Sequence, residues 1–385
     1  MDRRHAVVVG GGIGGLSAAI GLRMIGWQVT VLERSAAFTE VGAGITLWPN
    51  ALRGLHALGL ADEVQAVSVP QRAGGLRNRG GHWLSRWDGA ALERQFGSPM
   101  VAIHRAHLLR MLLAALPSEV THTGHPVGGV REDGTVVGLD VESADLIVGA
   151  DGIDSGIRRQ LWPDHPGPVD SGYTAWRGIC RPIGDIDIAV TWGRGTEFGV
   201  VPLTDGRVYW YASVRTAENI ANEDEKAFLA GYFGSWHSPI PDLIDATPAE
   251  AVLRHDLRHL DKPLSSYVRG RVALLGDAAH AMTPHLGQGG CQAIEDAVVL
   301  ASALGRFPEV AAALGHYDAH RRPRSQAIAR SSWWIGRCTS GLTNPLATAI
   351  RDTATRLTPQ RLSLRSMASV SDWSPPPIVR DEAAD

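Results

Sequence analysis

The sequence of 385 residues predicts an α/β protein, in which a Rossmann-like domain contains an inserted α+β unit built on an antiparallel sheet and is followed by C-terminal helices. Three observations support this fold class. A glycine-rich turn lies between an apolar strand and a helix near Gly10. Apolar and polar residues alternate between about 165 and 265, as they do in antiparallel strands. An apolar run typical of a buried strand then returns at residues 272–275.

Each predicted strand is an apolar, mostly β-branched run, and each predicted helix repeats apolar residues three and four positions apart. In the Rossmann-like part the strands are 6–9, 28–32, 101–103, 146–148 and 272–275, and the helices are 14–24, 49–58, 105–116, 290–304 and 310–336. In the inserted unit the strands are 189–192, 198–203 and 208–214, with a hairpin turn at Asp205-Gly206, and a helix follows at about 223–233. Residues 70–98 show no clear periodicity.

These elements predict a discontinuous domain organisation. The cofactor-binding domain consists of 1–70, 98–165 and 265–345, and the substrate-binding domain of 71–97 and 166–264. A C-terminal helical segment covers 346–372. We expect a disordered tail at 373–385, because three consecutive prolines precede a charged end.

Composition excludes several classes of protein. A net charge of −3 and a pI near 6.6 argue against nucleic-acid binding. Cys180, Cys291 and Cys338 lie far apart without a CxxC pair, so we predict no metal site, no disulfide framework and a cytoplasmic location. The chain starts with arginines and an apolar run, as a signal peptide does, but five glycines at 10–15 would spoil a signal helix. The sequence has no run of 18 apolar residues, so we predict no membrane-spanning helix.

The glycine turn has the pattern Gly10-x-Gly12-x-x-Gly15 between a strand and a helix. In this context Gly10 permits a tight turn, Gly12 lets the backbone approach a pyrophosphate, and Gly15 lets the helix pack on the sheet. Glu33, at the end of the second strand, is placed to bind ribose hydroxyls. The pattern therefore predicts a dinucleotide-binding site and does not distinguish FAD from NAD. The alternative is a turn that merely connects strand and helix.

Two further segments have the same strand–glycine–helix character, Gly149-Ala150-Asp151-Gly152 and Gly276-Asp277-Ala278-Ala279-His280. With them, the sequence resembles the single-component FAD-dependent aromatic hydroxylases, the para-hydroxybenzoate and salicylate hydroxylase group of flavin monooxygenases. The resemblance covers roughly residues 4–335. It implies a Rossmann-like FAD-binding domain of the GR2 type, with NADPH or NADH as cosubstrate.

The resemblance also implies the residues that bind FAD. Asp277 matches an aspartate that binds the ribityl chain, Arg105 an arginine that reaches the pyrophosphate, and 284–289 the turn beside the isoalloxazine ring. A helix cap, a solvated residue and a simple turn are the respective alternatives for Asp277, Arg105 and Asp151. The complete set of expected cofactor residues is Gly10, Gly12, Ile13, Gly14, Gly15, Glu33, Arg34, Gly44, Ile45, Arg105, Asp151, Gly152, Gly276, Asp277, Pro284, Gly287, Gly289 and Gly290.

The activity implied by the resemblance is hydroxylation of an aromatic or other electron-rich small molecule with O2, through a flavin C4a-hydroperoxide. Tyr209, Tyr211 and Pro284 are the expected catalytic residues, and either tyrosine could deprotonate or orient a phenol. The residues expected to bind substrate are Trp176, Arg177, Val200, Tyr209, Tyr211, Pro284, His285 and Leu286. For each aromatic residue, packing in the core is an equally good interpretation.

Two other functions stay open at this point. One is a flavin-dependent epoxidase or another oxidative tailoring enzyme of secondary metabolism, and the other is a non-catalytic FAD-fold escort protein. Urate hydroxylases of this family are expected to carry an arginine near Glu197, so the glutamate argues against urate as the substrate. The sequence contains no second strand–GxGxxG–helix unit that would bind NAD(P)H. We expect the chain to act as a monomer or homodimer.

Overall fold

The computed structural model describes residues 4–38, 43–137, 144–181, 184, 186–215 and 224–379. Its strands are β1 (His5–Val9), β2 (Gln28–Glu33), β3 (Gly44–Leu47), β4 (Ser68–Pro70), β5 (Ala73–Asn78), β6 (Trp83–Asp88), β7 (Val101–His104), β8 (Thr121–Thr123), β9 (Gly129–Val130), β10 (Val136–Val137), β11 (Leu146–Gly149), β12 (Val169–Cys180), β13 (Ile188–Trp192), β14 (Thr196–Pro202), β15 (Val208–Arg215), β16 (Leu253–His259), β17 (Val268–Arg269) and β18 (Val272–Leu274).

The helices alternate with the strands in the N-terminal part and form the C-terminus. They are α1 (Ile13–Met24), α2 (Pro49–Ala57), α3 (Ala61–Val67), α4 (Gly89–Phe96), α5 (Arg105–Ala114), α6 (Gly156–Leu161), α7 (Glu225–Phe233), α8 (Ile240–Asp245), α9 (Asp277–His280), α10 (Gly289–Arg306), α11 (Val310–Cys338), α12 (Pro345–Leu357) and α13 (Gln360–Ser371). Within the described part of the chain, every helix is too short or too polar to cross a bilayer.

A six-stranded sheet with the order β17-β18-β11-β1-β2-β8 organises the first part of the fold. Its strands pair in parallel except for β17 with β18. The central strand β1 is almost continuously apolar because both faces of the sheet are covered. Helix α1 packs against the sheet and against α10, with Leu16 and Leu22 fully buried. The carboxyl ends of β1, β11 and β18 consequently meet at one edge.

A seven-stranded sheet with the order β16-β12-β15-β14-β13-β5-β6 organises the second part. All neighbours are antiparallel except β13 and β5. One face carries an aromatic core in which Trp176, Phe198 and Trp210 pack against α7 and α8. The opposite face is turned toward the first part of the fold. The alternation of the strands therefore separates structural residues from residues that face the rest of the molecule.

The predicted fold class is confirmed: a parallel sheet of Rossmann type is combined with an antiparallel α+β unit and C-terminal helices. Sequence periodicity missed the hairpin of β5 and β6, because glycines and arginines interrupt its alternation. It also missed the long strand β12 and its partner β16. The domain boundaries stay predictions.

The segment 373–379 differs from the predicted disordered tail. It has no helix or strand, but Arg53 donates to the carbonyl oxygen of Trp373 at 2.8 Å, and Ser302 donates to that of Pro377 at 2.7 Å. Trp373 and Ile378 pack against the core of the first part. Two apolar side chains and two carbonyl acceptors thus stabilise a stretch that composition alone marks as disordered. Residues 380–385 lie outside the described part of the chain.

Candidate active site

A cavity of about 850 Å³ lies between the two sheets. We call its two ends the cofactor half and the sheet half. The cofactor half is lined by the N-terminal ends of α1 and α10 and by residues 275–277, and the sheet half by one face of β12, β14 and β15. Because both halves belong to one cavity, a molecule held at the glycine turn can meet a second molecule held on the sheet.

The glycine turn has the geometry that a phosphate group requires. A Cβ on Gly10, at φ +110°, would lie 2.3 Å from the Ala150 carbonyl oxygen, and one on Gly15 would lie 1.9 Å from that of Gly10. At Gly12, in contrast, no atom lies within 4 Å of such a Cβ. The turn is therefore tight on its protein side and open on its cavity side. Helix α1 has no side-chain cap, so its first N–H groups and its dipole are available to an anion.

Glu33 organises the glycine turn. Its carboxylate accepts hydrogen bonds from the backbone N–H groups of Gly11 at 2.8 Å and Ser35 at 2.9 Å. Burial alone would raise the pKa of Glu33, but these backbone donors lower it, so the group stays ionised. It does not line the cavity, and neither does the exposed Arg34 beyond it.

The Gly276-Asp277 segment, which lies between β18 and α9, brings a carboxylate to the cofactor half. Gly276 has φ +60°, and its N–H donates to Asp296 at 2.9 Å. Arg158, 1% exposed, donates to the carbonyl oxygen of Ala278 at 2.9 Å and holds the segment from the other side. Asp277 consequently lines the cavity close to Gly289: a Cβ added to Gly289 would lie 3.9 Å from a carboxylate oxygen of Asp277.

The turn 284–290 closes the cofactor half opposite β3. Pro284, His285 and Leu286 form a 3-10 turn that ends at Gly287, φ +61°, and all four residues line the cavity. Helix α10 follows without a side-chain cap, so the N–H groups of Gly289 and Gly290 point to the same space. On the facing wall lie Gly44 and Ile45.

Two arginines lie where the cofactor half meets the sheet half. Arg105 begins α5 and Arg177 lies on β12, and both line the cavity. Burial and the Arg177 charge lower the pKa of Arg105, whereas Asp277 and Tyr209 raise it. Tyr209 packs against the backbone of Gly44, where a Cβ would lie 2.5 Å from the ring. The two guanidinium groups give this junction a positive potential suited to an anionic group.

The tyrosines of β15 are neutral hydroxyl groups at physiological pH. Burial raises the pKa of Tyr209, although Arg177 and Arg105 oppose the shift. Burial, Glu197 and Tyr209 together raise the pKa of Tyr211 well above its ordinary value. This result argues against the expectation that either tyrosine deprotonates a phenol. Each can still donate its O–H to a ligand.

The structure brings most of the expected site residues together. The cavity is lined by Gly12, Ile13, Gly14, Gly15, Gly44, Ile45, Arg105, Gly152, Gly276, Asp277, Pro284, Gly287, Gly289, Gly290, Arg177, Tyr209, Tyr211, His285 and Leu286. Gly10, Glu33 and Asp151 lie behind this wall. The Asp151 carboxylate accepts from the N–H of Ile157 at 3.1 Å, so it supports α6.

Two expected substrate residues are wrong. Trp176 is fully buried on the far face of the seven-stranded sheet, where its Nε1–H donates to Glu225 at 2.6 Å. Val200 belongs to the same aromatic core. Successive residues of a strand point to opposite faces, so Arg177 and Trp176 cannot both face the cavity.

Sequence reasoning also missed residues of the sheet half. Ser213 and Glu197 line the cavity, on the same face as Tyr211 and directly opposite each other in the β14–β15 register. The spacing of Tyr209, Tyr211 and Ser213 along β15 could have indicated the serine. Leu76 on β5, Trp87 on β6 and Met367 on α13 extend the wall with apolar groups.

Comparison with known proteins agrees with this geometry. A model of the FAD binding domain family matches residues 3–332. The chain is 40% identical over 343 residues to the aurachin C monooxygenase/isomerase of Stigmatella aurantiaca, covering 86% of this chain and 88% of that protein. It is 35% identical over 335 residues to an FAD-dependent urate hydroxylase of Klebsiella pneumoniae, covering 83% and 86%. The crystal structure of Klebsiella pneumoniae HpxO complexed with FAD and uric acid superposes with a TM-score of 0.89 at 30% identity, over 97% of both chains.

Proposed function

We propose how this chain acts, given that it belongs to the FAD binding domain family and is an FAD-dependent monooxygenase. It uses NADPH or NADH and O2 to hydroxylate an aromatic or other electron-rich small molecule. The observation that carries this proposal is one cavity, which joins an open glycine turn to a sheet face bearing two neutral tyrosines. Relatives that are monooxygenases of aromatic or heterocyclic compounds support it.

The residues of the cofactor half fit FAD. The open N-terminal end of α1 would bind the diphosphate, and Asp277 would accept hydrogen bonds from the ribityl hydroxyls. The turn 284–290 and the uncapped start of α10 would lie against the isoalloxazine ring, where backbone N–H groups stabilise negative charge. Arg105 would pair with the pyrophosphate. FAD, when bound, supplies the activation of O2 after reduction by NAD(P)H.

The sheet half would hold the substrate over this ring. Tyr209 and Tyr211 keep their protons, so they orient a ligand by donating hydrogen bonds to it. The apolar side chains of Leu76, Trp87 and Met367 would exclude water from the remaining space. We also propose a cytoplasmic location, which the free Cys180, Cys291 and Cys338 support.

The test begins with the purified protein as expressed. We expect a yellow protein with a flavin absorbance spectrum and a slow NAD(P)H oxidation that phenols, indoles or fused aromatics accelerate. With isotopically labelled O2, the product should carry one labelled oxygen atom. A colourless protein would instead favour the escort function. A flavoprotein that forms only hydrogen peroxide with every compound of the panel would be an oxidase and would contradict the proposal.

A further inference from the structure

We infer that Glu197 is the residue that selects the substrate, by accepting a hydrogen bond and then the proton from an O–H or N–H group conjugated to the substrate ring. This inference rests on the proposed function and adds to it the substrate class: an aromatic compound with a ring N–H or a hydroxyl donor. The geometry that points to it is a carboxyl group that lines the cavity, together with unpaired polar side chains on the sheet and on the facing turn 284–290.

Glu197 places a carboxyl group in the sheet half of the cavity. It lines the cavity, yet the residue is only 5% exposed. Among the described residues, no hydrogen-bond donor and no cation within ion-pair distance reaches it. A carboxylate that is nearly closed off from solvent is stabilised by a hydrogen-bond donor or a cation. The carboxylate therefore indicates a donor that arrives with the ligand.

Two other residues that line the cavity have buried polar atoms without a hydrogen-bond partner. Ser213 lies directly across from Glu197 in the β14–β15 register, and its buried hydroxyl group has no hydrogen-bond partner. His285, on the turn that would lie against the flavin, packs over Gly336 with both ring nitrogens unpaired. Fewer than one in ten buried polar groups is normally left without a partner. Two such side chains and a carboxylate that line one cavity indicate a polar ligand group between the sheet and this turn.

The charges around Glu197 leave it free to accept a donor. Two neutral hydroxyl groups face it, that of Tyr211 on β15 and that of Tyr173 on β12. Burial raises the pKa of both tyrosines. The charges of Arg215 and Arg337 lower the pKa of Tyr173, but neither guanidinium group lies within 4 Å of the Glu197 carboxylate. Of the two carboxylates that line the cavity, Asp277 lies in the cofactor half. Among the described residues, Glu197 is thus the only carboxylate that lines the sheet half of the cavity.

The proton moves in a closed cycle. As one oxygen atom of O2 is transferred to the ring carbon as a hydroxyl group, the substrate heteroatom gives its proton to Oε of Glu197, and its lone pair forms a double bond to the ring. The same ring carbon then loses its hydrogen as a proton to water, and Glu197 returns its proton to the heteroatom. The net change is one hydrogen of the ring replaced by a hydroxyl group, with the two electrons for the second oxygen atom supplied by NAD(P)H.

The experiment compares probes that differ by one donor. The pairs are naphthol and its methyl ether, and indole and N-methylindole, added to the FAD-loaded enzyme. Dissociation constants come from the change in the bound-flavin absorbance spectrum, and turnover from NAD(P)H oxidation with labelled O2. Glu197→Leu removes the acceptor, and Glu197→Gln keeps an acceptor oxygen but cannot take the proton. Glu250→Gln, on the exposed turn after α8, is the matched control. The flavin-to-protein ratio reports whether each variant folds.

We expect the wild-type enzyme and Glu250→Gln to bind the donor-bearing probe about tenfold or more tightly than its methylated partner. Glu197→Leu should reduce this preference to about twofold, and Glu197→Gln should lower turnover of the donor-bearing probe about a hundredfold. A preference that persists in Glu197→Leu, unchanged turnover in Glu197→Gln, or failure of both donor probes to bind the wild-type enzyme would overturn the inference. A Glu197-dependent preference without labelled product would support this site and contradict the proposed function. Equal hydroxylation of both members of a pair would support the proposed function and contradict the role of Glu197.

Discussion

Replacement of Arg321 by methionine should destabilise the enzyme through a buried charge network behind the cofactor half. The guanidinium group is 1% exposed, and its Nε donates to Asp296 at 2.7 Å while a second nitrogen donates to Glu295. Both carboxylates are fully buried. Burial alone would raise the pKa of Asp296, but His280 and Arg321 hold it at about 2. Each carboxylate thus depends on its cations to remain charged without solvent.

The expected loss follows from what each carboxylate retains. Glu295 keeps Arg324, whose Nε lies 2.7 Å from it, whereas Asp296 keeps only His280 and the Gly276 N–H. Removing one partner of a buried pair costs about 3–5 kcal/mol, and the remaining partners place Arg321→Met at about 3 kcal/mol. A protein of this size unfolds with an entropy of about 0.8 kcal/mol per degree, so we expect the melting temperature to decrease by roughly 4 °C.

The assay is unfolding of the FAD-saturated enzyme in urea and by heating, followed by circular dichroism and flavin fluorescence. The control is Arg322→Met, one position along the same helix. Arg322 pairs with Asp318 at 3.0 Å in a partly exposed i,i+4 geometry, which is worth about 0.5 kcal/mol. If Arg321→Met and Arg322→Met unfold within about 1 kcal/mol of each other, the reasoning about the buried network is wrong.

Three further predictions concern the cofactor, acid stability and the cysteines. Asp277→Ala should yield protein with little bound flavin, since it removes a carboxylate of the cofactor half, and a full flavin-to-protein ratio would argue against that role. The pKa of Asp296 is about 2 in the folded protein, against 3.8 for an aspartate free of such neighbours, as in an unfolded chain, so its ionised form stabilises the fold above pH 4. That contribution, about 2 kcal/mol, should disappear as the pH falls from about 4 to about 2, which urea unfolding across this range would measure. A chromogenic disulfide reagent should titrate the exposed Cys338 in the native enzyme and all three thiols after denaturation, because burial raises the pKa of Cys180 and raises that of Cys291 to about 12. Two rapidly reacting thiols in the native enzyme would contradict it.

The part of the site that the sequence predicted well is built from local backbone. Gly12 and Gly15 have a fixed relation to the start of α1, so their spacing alone indicates the turn and the open space at Gly12. The same holds for Gly276 and for Gly287, which adopt positive φ angles that favour glycine. In each case the chemistry depends on neighbours in the chain, and a short motif contains all of them.

The substrate residues could not be predicted in the same way, because they depend on register between distant strands. Alternation along β12 shows that Trp176 and Arg177 face opposite sides, but not which side meets the cofactor. Glu197 meets Ser213 only through the β14–β15 pairing. Moreover, the apolar character of Trp176 and Val200 suits a ligand pocket and a protein core equally, and the structure places both residues in the core.

The alternation of the sheet also implies that substrate choice can change without loss of the fold. On β14 and β15, Phe198 and Trp210 fill the core on one face, while Glu197 and Tyr211 face the cavity on the other. A substitution at a cavity-facing position alters hydrogen bonding to the ligand and leaves the aromatic core intact. The cofactor half has no such freedom, because a Cβ on Gly10 or Gly15 would collide with backbone atoms. Variants that change specificity should therefore retain bound flavin, whereas variants of the glycine turn should lose it together with stability.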